Sequence, residues 1–156
     1  MKRQEKTNVM RLLDQKKVSY KSYDYTDSGV ISGIDVAAVL GQDPLQVFKT
    51  LVTVGASGKN YVFVIPVCSE LNLKEAAKSV GEKSIAMLKA KELLPLTGYI
   101  HGGCSPIGMK KPYPTFIHES ALLHDYIYIS AGVRGLQIKI SPNDLFKFVG
   151  ADIYPI

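Results

Sequence analysis

Lys49-Thr50-Leu51-Val52-Thr53-Val54 is followed by Gly55-Ala56-Ser57-Gly58-Lys59-Asn60 and then by Tyr61-Val62-Phe63-Val64-Ile65-Pro66-Val67. Two runs dense in β-branched and aromatic residues, separated by turn chemistry, predict a β-hairpin. Upstream, residues 18–25 are rich in tyrosine and β-branched residues and read as a further strand. Between them the loop Asp27-Ser28-Gly29 precedes a helix. Ser32 with Asp35 resembles a capping box, Val36, Val39 and Leu40 give the apolar face, and Gly41 is the stop. Asp43-Pro44 predicts a short helix with Asp at the cap and Pro at the first turn. Thr7 is placed to cap a first helix with Val9, Leu12 and Leu13 on one face.

Downstream of the hairpin, residues 72–81 predict a helix with Leu73, Ala76, Ala77 and Val80 inward, and residues 89–94 a second one ending near Pro95. Residues 97–114 hold several glycines and prolines and read as a long structured loop, a feature often tied to function in compact domains. Residues 115–118, 125–130 and 136–140 read as strands, and Ser141-Pro142-Asn143-Asp144 opens a last helix closed by Gly150. This mixed order, with a second hairpin around 130–135, predicts an α+β fold with a mostly antiparallel or mixed sheet, in a single domain spanning 1–156. A dinucleotide-binding fold is excluded, because no strand leads into GxGxxG and no GxxxxGK[ST] is present.

A chain of 156 residues suits one domain with a self-sufficient core. Its 46% hydrophobic and 21% charged residues fit an ordinary soluble globular protein. No apolar run approaches the ~18 residues of a membrane span. The first ten residues, MKRQEKTNVM, lead into no apolar stretch, so no secretory signal is read. Two cysteines make neither a disulfide framework nor a four-ligand zinc site. The expectation is a cytoplasmic, disulfide-free protein with no membrane partner. Nineteen Lys and Arg against fourteen Asp and Glu give +5, spread over both halves of the chain, which suits an anionic partner without naming one.

Candidate site residues carry competing readings. His101, His118 and His124 belong to no metal-ligand motif, and surface or packing roles are expected. Cys104, in a glycine-rich loop, suggests a thiol nucleophile, against the plainer reading of a small loop hydrophobe. Cys68, ending an apolar strand, reads as core. Lys49 is either an edge lysine whose stem covers apolar surface or a cation at a cleft rim that clamps a phosphate or carbonyl. The loop Gly102-Gly103-Cys104-Ser105-Pro106-Ile107-Gly108 is either a structural turn or a backbone that approaches a ligand closely.

Four segments in order go further. Phe48-Lys49-Thr50-Leu51, Thr97-Gly98-Tyr99 with Gly102-Gly103, Ser105-Pro106-Ile107-Gly108-Met109-Lys110-Lys111, and Ile127-Tyr128-Ile129-Ser130 with Gly132 and Arg134-Gly135 together resemble the YbaK/EbsC family. That family is related to the editing domain inserted in bacterial prolyl-tRNA synthetases, and the resemblance covers the whole chain to about Ile153. It implies an α+β domain with a curved, barrel-like mixed sheet surrounded by helices. It also implies hydrolysis of mischarged aminoacyl-tRNA, first Cys-tRNA(Pro) and next Ala-tRNA(Pro). The physical motive is that one methylene decides only ~1–3 kcal/mol in a synthetase pocket, so a second, hydrolytic site corrects the error.

Under this resemblance Lys49 is the essential lysine that neutralises the terminal adenosine phosphate, and Thr50 shapes the same pocket. Gly102 and Gly103 turn their main chain to the aminoacyl ester, while Ser130, Gly132 and Tyr25 line the substrate pocket. No protein nucleophile is implied, since in cysteine-editing members the substrate's own thiol attacks its ester carbonyl. Lys110, Lys111 and Arg134 are the candidates for tRNA phosphate contact. No metal and no cofactor are implied. The partners implied are the tRNA acceptor end, rather than DNA, and prolyl-tRNA synthetase. Gln137 stands where familiar members carry an acidic residue, Ser32 where they carry phenylalanine, and His101 and Cys104 where they carry apolar residues. A non-catalytic binding or regulatory protein that keeps the fold is the competing expectation.

Overall fold

The computed structural model describes residues 6–154. The quoted hairpin forms: β2 (Phe48–Gly55) and β3 (Asn60–Pro66) pair antiparallel, with Lys49 opposite Ile65 and Val54 opposite Asn60. Ahead of them lie α1 (Asn8–Gln15), β1 (Tyr20–Asp24) and α2 (Gly33–Leu40). After them come α3 (Leu73–Val80), β4 (Ile85–Met87), α4 (Ala90–Thr97), β5 (Thr115–His118), β6 (Ile127–Ser130), β7 (Leu136–Ile140), α5 (Pro142–Val149) and β8 (Asp152–Tyr154).

Nearly the whole of β3 is buried, which explains its unbroken apolar run: it is covered on both faces. Tyr61, Phe63 and Ile65 face Ala76 and Ala77 of α3, with Tyr154 edge-on to Phe63. Val62 and Val64 point the other way, into the main core with Val9 and Leu13 of α1, Ile117, Ile129, Ile138 and Leu145. β3 sits at the centre of a five-stranded sheet ordered β4-β2-β3-β5-β8, in which β5 and β8 run parallel to their inner neighbours. A second, antiparallel sheet is ordered β1-β7-β6. The α+β expectation holds. The sheets meet only at a parallel bridge between Val47 and Tyr128, so the curved surface is in two parts and does not close into a barrel.

The expected caps form. Thr7 accepts a hydrogen bond from the Met10 amide, and Ser32 accepts one from the Asp35 amide. Other readings need correction. Asp43-Pro44 starts a turn and no helix: the Asp43 carboxylate accepts from the Leu45 amide, and the chain leaves at once to bridge Tyr128. α4 runs through Pro95 to Thr97. The proline lies in the last turn, where its ring leaves the Lys91 carbonyl without the usual amide donor, and the Thr97 hydroxyl donates to the Leu93 carbonyl at 2.7 Å. Cys68 is exposed, because β3 ends at Pro66 and Cys68 lies in the turn beyond it. The strands β4 and β8 are three residues each, too short to show a period. Among the described residues no helix is long and apolar enough to cross a membrane.

Candidate active site

A cavity of about 290 Å³ opens where the two sheets and the long loop meet. β2 contributes Phe48, Lys49, Thr50 and Leu51. The antiparallel sheet contributes Ser130 at the end of β6, Gln137 in β7 and Tyr25 just after β1. Ile31, Ser32 and Ile34 come from the entry to α2, and His101, Gly102 and Cys104 from the loop. The fold therefore divides the ten candidates into five that line the cavity and five that do not. Lys49, Thr50, Tyr25, Ser130 and Gly102 line this cavity, while Gly103, Gly132, Lys110 and Lys111 do not. Arg134 acts on its rim through another residue.

Gly102 has φ +84°, a region side chains avoid, and a Cβ there would lie 2.5 Å from Ile31 Cγ2. Its bare backbone is therefore what the cavity sees between Ile31 and the Arg134 side chain. Gly103 serves a different purpose. A Cβ on it would meet the Arg134 nitrogen at 3.0 Å and the Val133 backbone at 3.1 Å, so this is where two loops pass backbone against backbone. Arg134 locks the same crossing, its Nε donating to the His101 carbonyl at 2.7 Å. Gly132 and Lys110 line a separate cleft, and Lys110 Nζ donates to the Pro95 carbonyl at 3.2 Å. Lys111 is exposed.

The polar groups in the wall are mostly committed. The Ser130 hydroxyl accepts from the Gly132 amide at 3.1 Å. Tyr25 is buried, and burial pushes its phenol up, partly offset by a hydrogen bond from the Gly135 backbone. Burial pushes the Cys104 thiol up to about 12. Gln137 is 3% exposed and exchanges two amide hydrogen bonds with Gln42, at 2.7 and 3.0 Å. None of the residues lining the cavity is an Asp or Glu, so Lys49 is its fixed charge. Among the described residues no cluster of three or more His, Cys, Asp or Glu side chains is placed to hold a metal ion. Gln42 and Leu93 escaped the sequence reading. Gln42 carried only the signal of a polar residue just past a helix stop, and its partner lies 95 positions away.

A mixed fold with an acid-free cavity that holds one lysine and a glycine backbone is electrostatically suited to an anionic ligand. The aminoacyl-tRNA editing domain model matches residues 30–148, and the chain belongs to that family of hydrolytic deacylases. A relative from Enterococcus faecalis (strain ATCC 700802 / V583), named "Putative Cys-tRNA(Pro)/Cys-tRNA(Cys) deacylase EbsC", is 46% identical over 99% of this chain and 95% of its own. A solved structure described as "a putative trans-editing enzyme for prolyl tRNA synthetase" superposes with a TM-score of 0.83 at 24% identity, covering 96% of each chain. Another, of a hypothetical protein, gives 0.85 at 23% identity over 93% of this chain and 95% of that one. At those identities the two structures speak for the fold.

Proposed function

We propose that the protein is an editing deacylase that removes a small amino acid wrongly esterified to tRNA, with Cys-tRNA(Pro) the leading substrate and Ala-tRNA(Pro) the next. The observation that carries this reading is the acid-free cavity holding Lys49 beside Thr50, Tyr25, Ser130 and the bare backbone of Gly102. At about 290 Å³ it suits an aminoacyl group and part of the terminal nucleoside. Lys49 neutralises phosphate charge near the ester, and main-chain donors of the loop meet the oxygen that gains charge as the carbonyl is attacked.

The protein supplies no covalent nucleophile in this scheme. A thiol held up to about 12 is not a thiolate at neutral pH, and the Ser130 hydroxyl has no imidazole or carboxylate partner among its hydrogen bonds. For a cysteinyl ester the substrate's sulfur bonds to the carbonyl carbon, the carbon–oxygen bond to the ribose breaks, and the thiol proton ends on the ribose oxygen. Water then opens the released cyclic thioester to free cysteine. Catalysis is positioning and charge stabilisation. The test is a deacylation panel of several mischarged tRNAs with purified protein. Release of cysteine from Cys-tRNA(Pro) well above the buffer rate is expected. Turnover on none of them would leave a binding or regulatory protein.

A further inference from the structure

The two loops that give Gly102, Cys104 and Ser130 to the first cavity also wall a second cleft of about 440 Å³. Gly98, Tyr99 and Gly108 of one loop line the second cleft, as do the consecutive Ala131, Gly132 and Val133 of the other. The close pass at Gly103 makes one thin partition between the two spaces. Three cations border the cleft: Lys6 ahead of α1, Arg11 within it and Lys110 in the long loop. No carboxylate is among the lining residues. Lys6 is tied to Asp14, which lies outside the lining, and Lys110 rests on the Pro95 carbonyl. The Arg11 guanidinium is exposed and has no partner among the described residues.

Two glycines in the wall of this cleft are required by close packing against α1 and Tyr99. Gly132 has φ +100°, and a Cβ there would meet Val9 at 3.0 Å and Tyr99 at 3.2 Å. Gly108 has φ +77°, and its Cβ would crowd Leu12, Tyr99 and Asn8. Separated cations with no carboxylate among them suit a run of phosphates more than one compact anion.

We infer that this second cleft holds backbone phosphates of the RNA acceptor strand while its terminal ester occupies the first cavity. The inference rests on the function proposed above, because only a ligand that is a charged chain with a reactive end uses both sides of one partition. It assigns Arg11, and with it Lys6, to RNA contact, and it gives Lys110 a partner element in α1. Lys111 and Arg134 stay outside the cleft.

The experiment is binding of uncharged tRNA to the full chain across a salt series, followed by fluorescence anisotropy. Changing both Arg11→Gln and Lys110→Gln is expected to weaken binding about tenfold at low salt and to reduce the log–log salt slope by about 1 to 2. The charge-keeping pair Arg11→Lys and Lys110→Arg is expected to bind like the wild type, which separates lost charge from a disturbed fold. Lys59→Gln, in the distant hairpin turn, is expected to change nothing. On a charged tRNA the neutral pair is expected to raise KM with kcat kept.

An unchanged slope in the neutral pair, or no tRNA binding by the wild type, overturns the inference. Displacement of tRNA by inorganic phosphate beyond its ionic-strength effect also overturns it, in favour of a small-anion pocket. Binding of uncharged tRNA does not need hydrolysis. A wild type that binds with the expected slope yet deacylates nothing would therefore sink the deacylase reading and leave the cleft standing.

Discussion

Cys104 sits in the cavity wall with its thiol pushed up to about 12 by burial, more than three units above the roughly 8.5 of a free thiol. At neutral pH its thiolate population is lower than a free thiol's by about a thousandfold, and alkylation proceeds through the thiolate. Cys68 is exposed in the same molecule and serves as the reference. Brief treatment with iodoacetamide at pH 7.5, read by peptide mass spectrometry, is expected to label Cys68 and spare Cys104 by a factor of ~10²–10³. Labelling of Cys104 should climb about tenfold per pH unit up to pH 10.

The same shift bears on stability. A folded value above the unfolded one means that the stabilisation from keeping the thiol neutral is complete below about pH 8.5 and is lost as pH rises toward 12, at up to about 1.4 kcal/mol per unit. Cys104→Ser should flatten that alkaline slope in urea titrations at pH 8 to 10 and keep deacylation close to wild type. Equal labelling of the two cysteines, or a Cys104→Ser protein that is folded but inactive, would refute the assignment and restore a protein thiol as nucleophile.

Three further outcomes are expected. Lys49→Ala should fold with stability within about 0.5 kcal/mol of wild type, since the residue is half-exposed, and lose ~10²-fold or more in deacylation. Lys49→Arg should be impaired as well, because a planar fork replaces a compact ammonium, and a fully active Lys49→Ala on Cys-tRNA(Pro) removes the lysine from the mechanism. Gly103→Ala puts a methyl 3.0–3.1 Å from main-chain atoms that cannot swing aside; thermal unfolding should show a loss of about 1–3 kcal/mol. Gln42→Leu and Gln137→Leu should each cost about 1–3 kcal/mol by leaving a partner amide unpaired. The double variant should cost less than the two together, and simple additivity in urea denaturation would mean that the pair is not coupled.

What could be read from the sequence follows the range of the interactions. Thr7, Ser32 and Gly41 act on chain within a few residues of themselves, so their capping roles were legible. The β2–β3 hairpin was legible because both faces of β3 are buried and its apolar run is continuous. Pro95 misled because its cost depends on its place in the turn and on the Thr97 hydroxyl. Asp43-Pro44 misled because helix-start and turn chemistry share the same residues, and a bridge to Tyr128 decided between them. At the site, Lys49 and Gly102 stood out through the family resemblance and do line the cavity. Gly103 and Gly132 stood out with them yet lie elsewhere, because Gly103 packs on the Val133–Arg134 backbone and Gly132 lines the second cleft. The Gln42–Gln137 pair was out of reach. A lone glutamine in a strand reads as a solvent-facing position, and only the approach of Gln42, just past α2, gives the buried side chain a partner.

The cavity takes its shape from the joint between two sheets, and that joint is narrow. Lys49 and Thr50 belong to one sheet, Ser130 and Gln137 to the other, with no continuous ladder between them. Beside the shared apolar core, the short stretch from Gln42 to Val47 ties the two sheets together. Gln42 pairs with Gln137, the Gln46 carbonyl accepts from the Tyr128 amide at 2.9 Å, and the Gln46 side chain donates to the Tyr126 carbonyl at 3.1 Å. The Val47 carbonyl in turn accepts from the Val67 amide, so the stretch is fastened to the exit of β3 as well. A closed barrel would spread this load over a full ladder of bonds. Here a few side-chain amides and one bridge act beside the apolar core in setting the separation between the lysine and the serine, so polar residues without chemistry of their own contribute to site geometry.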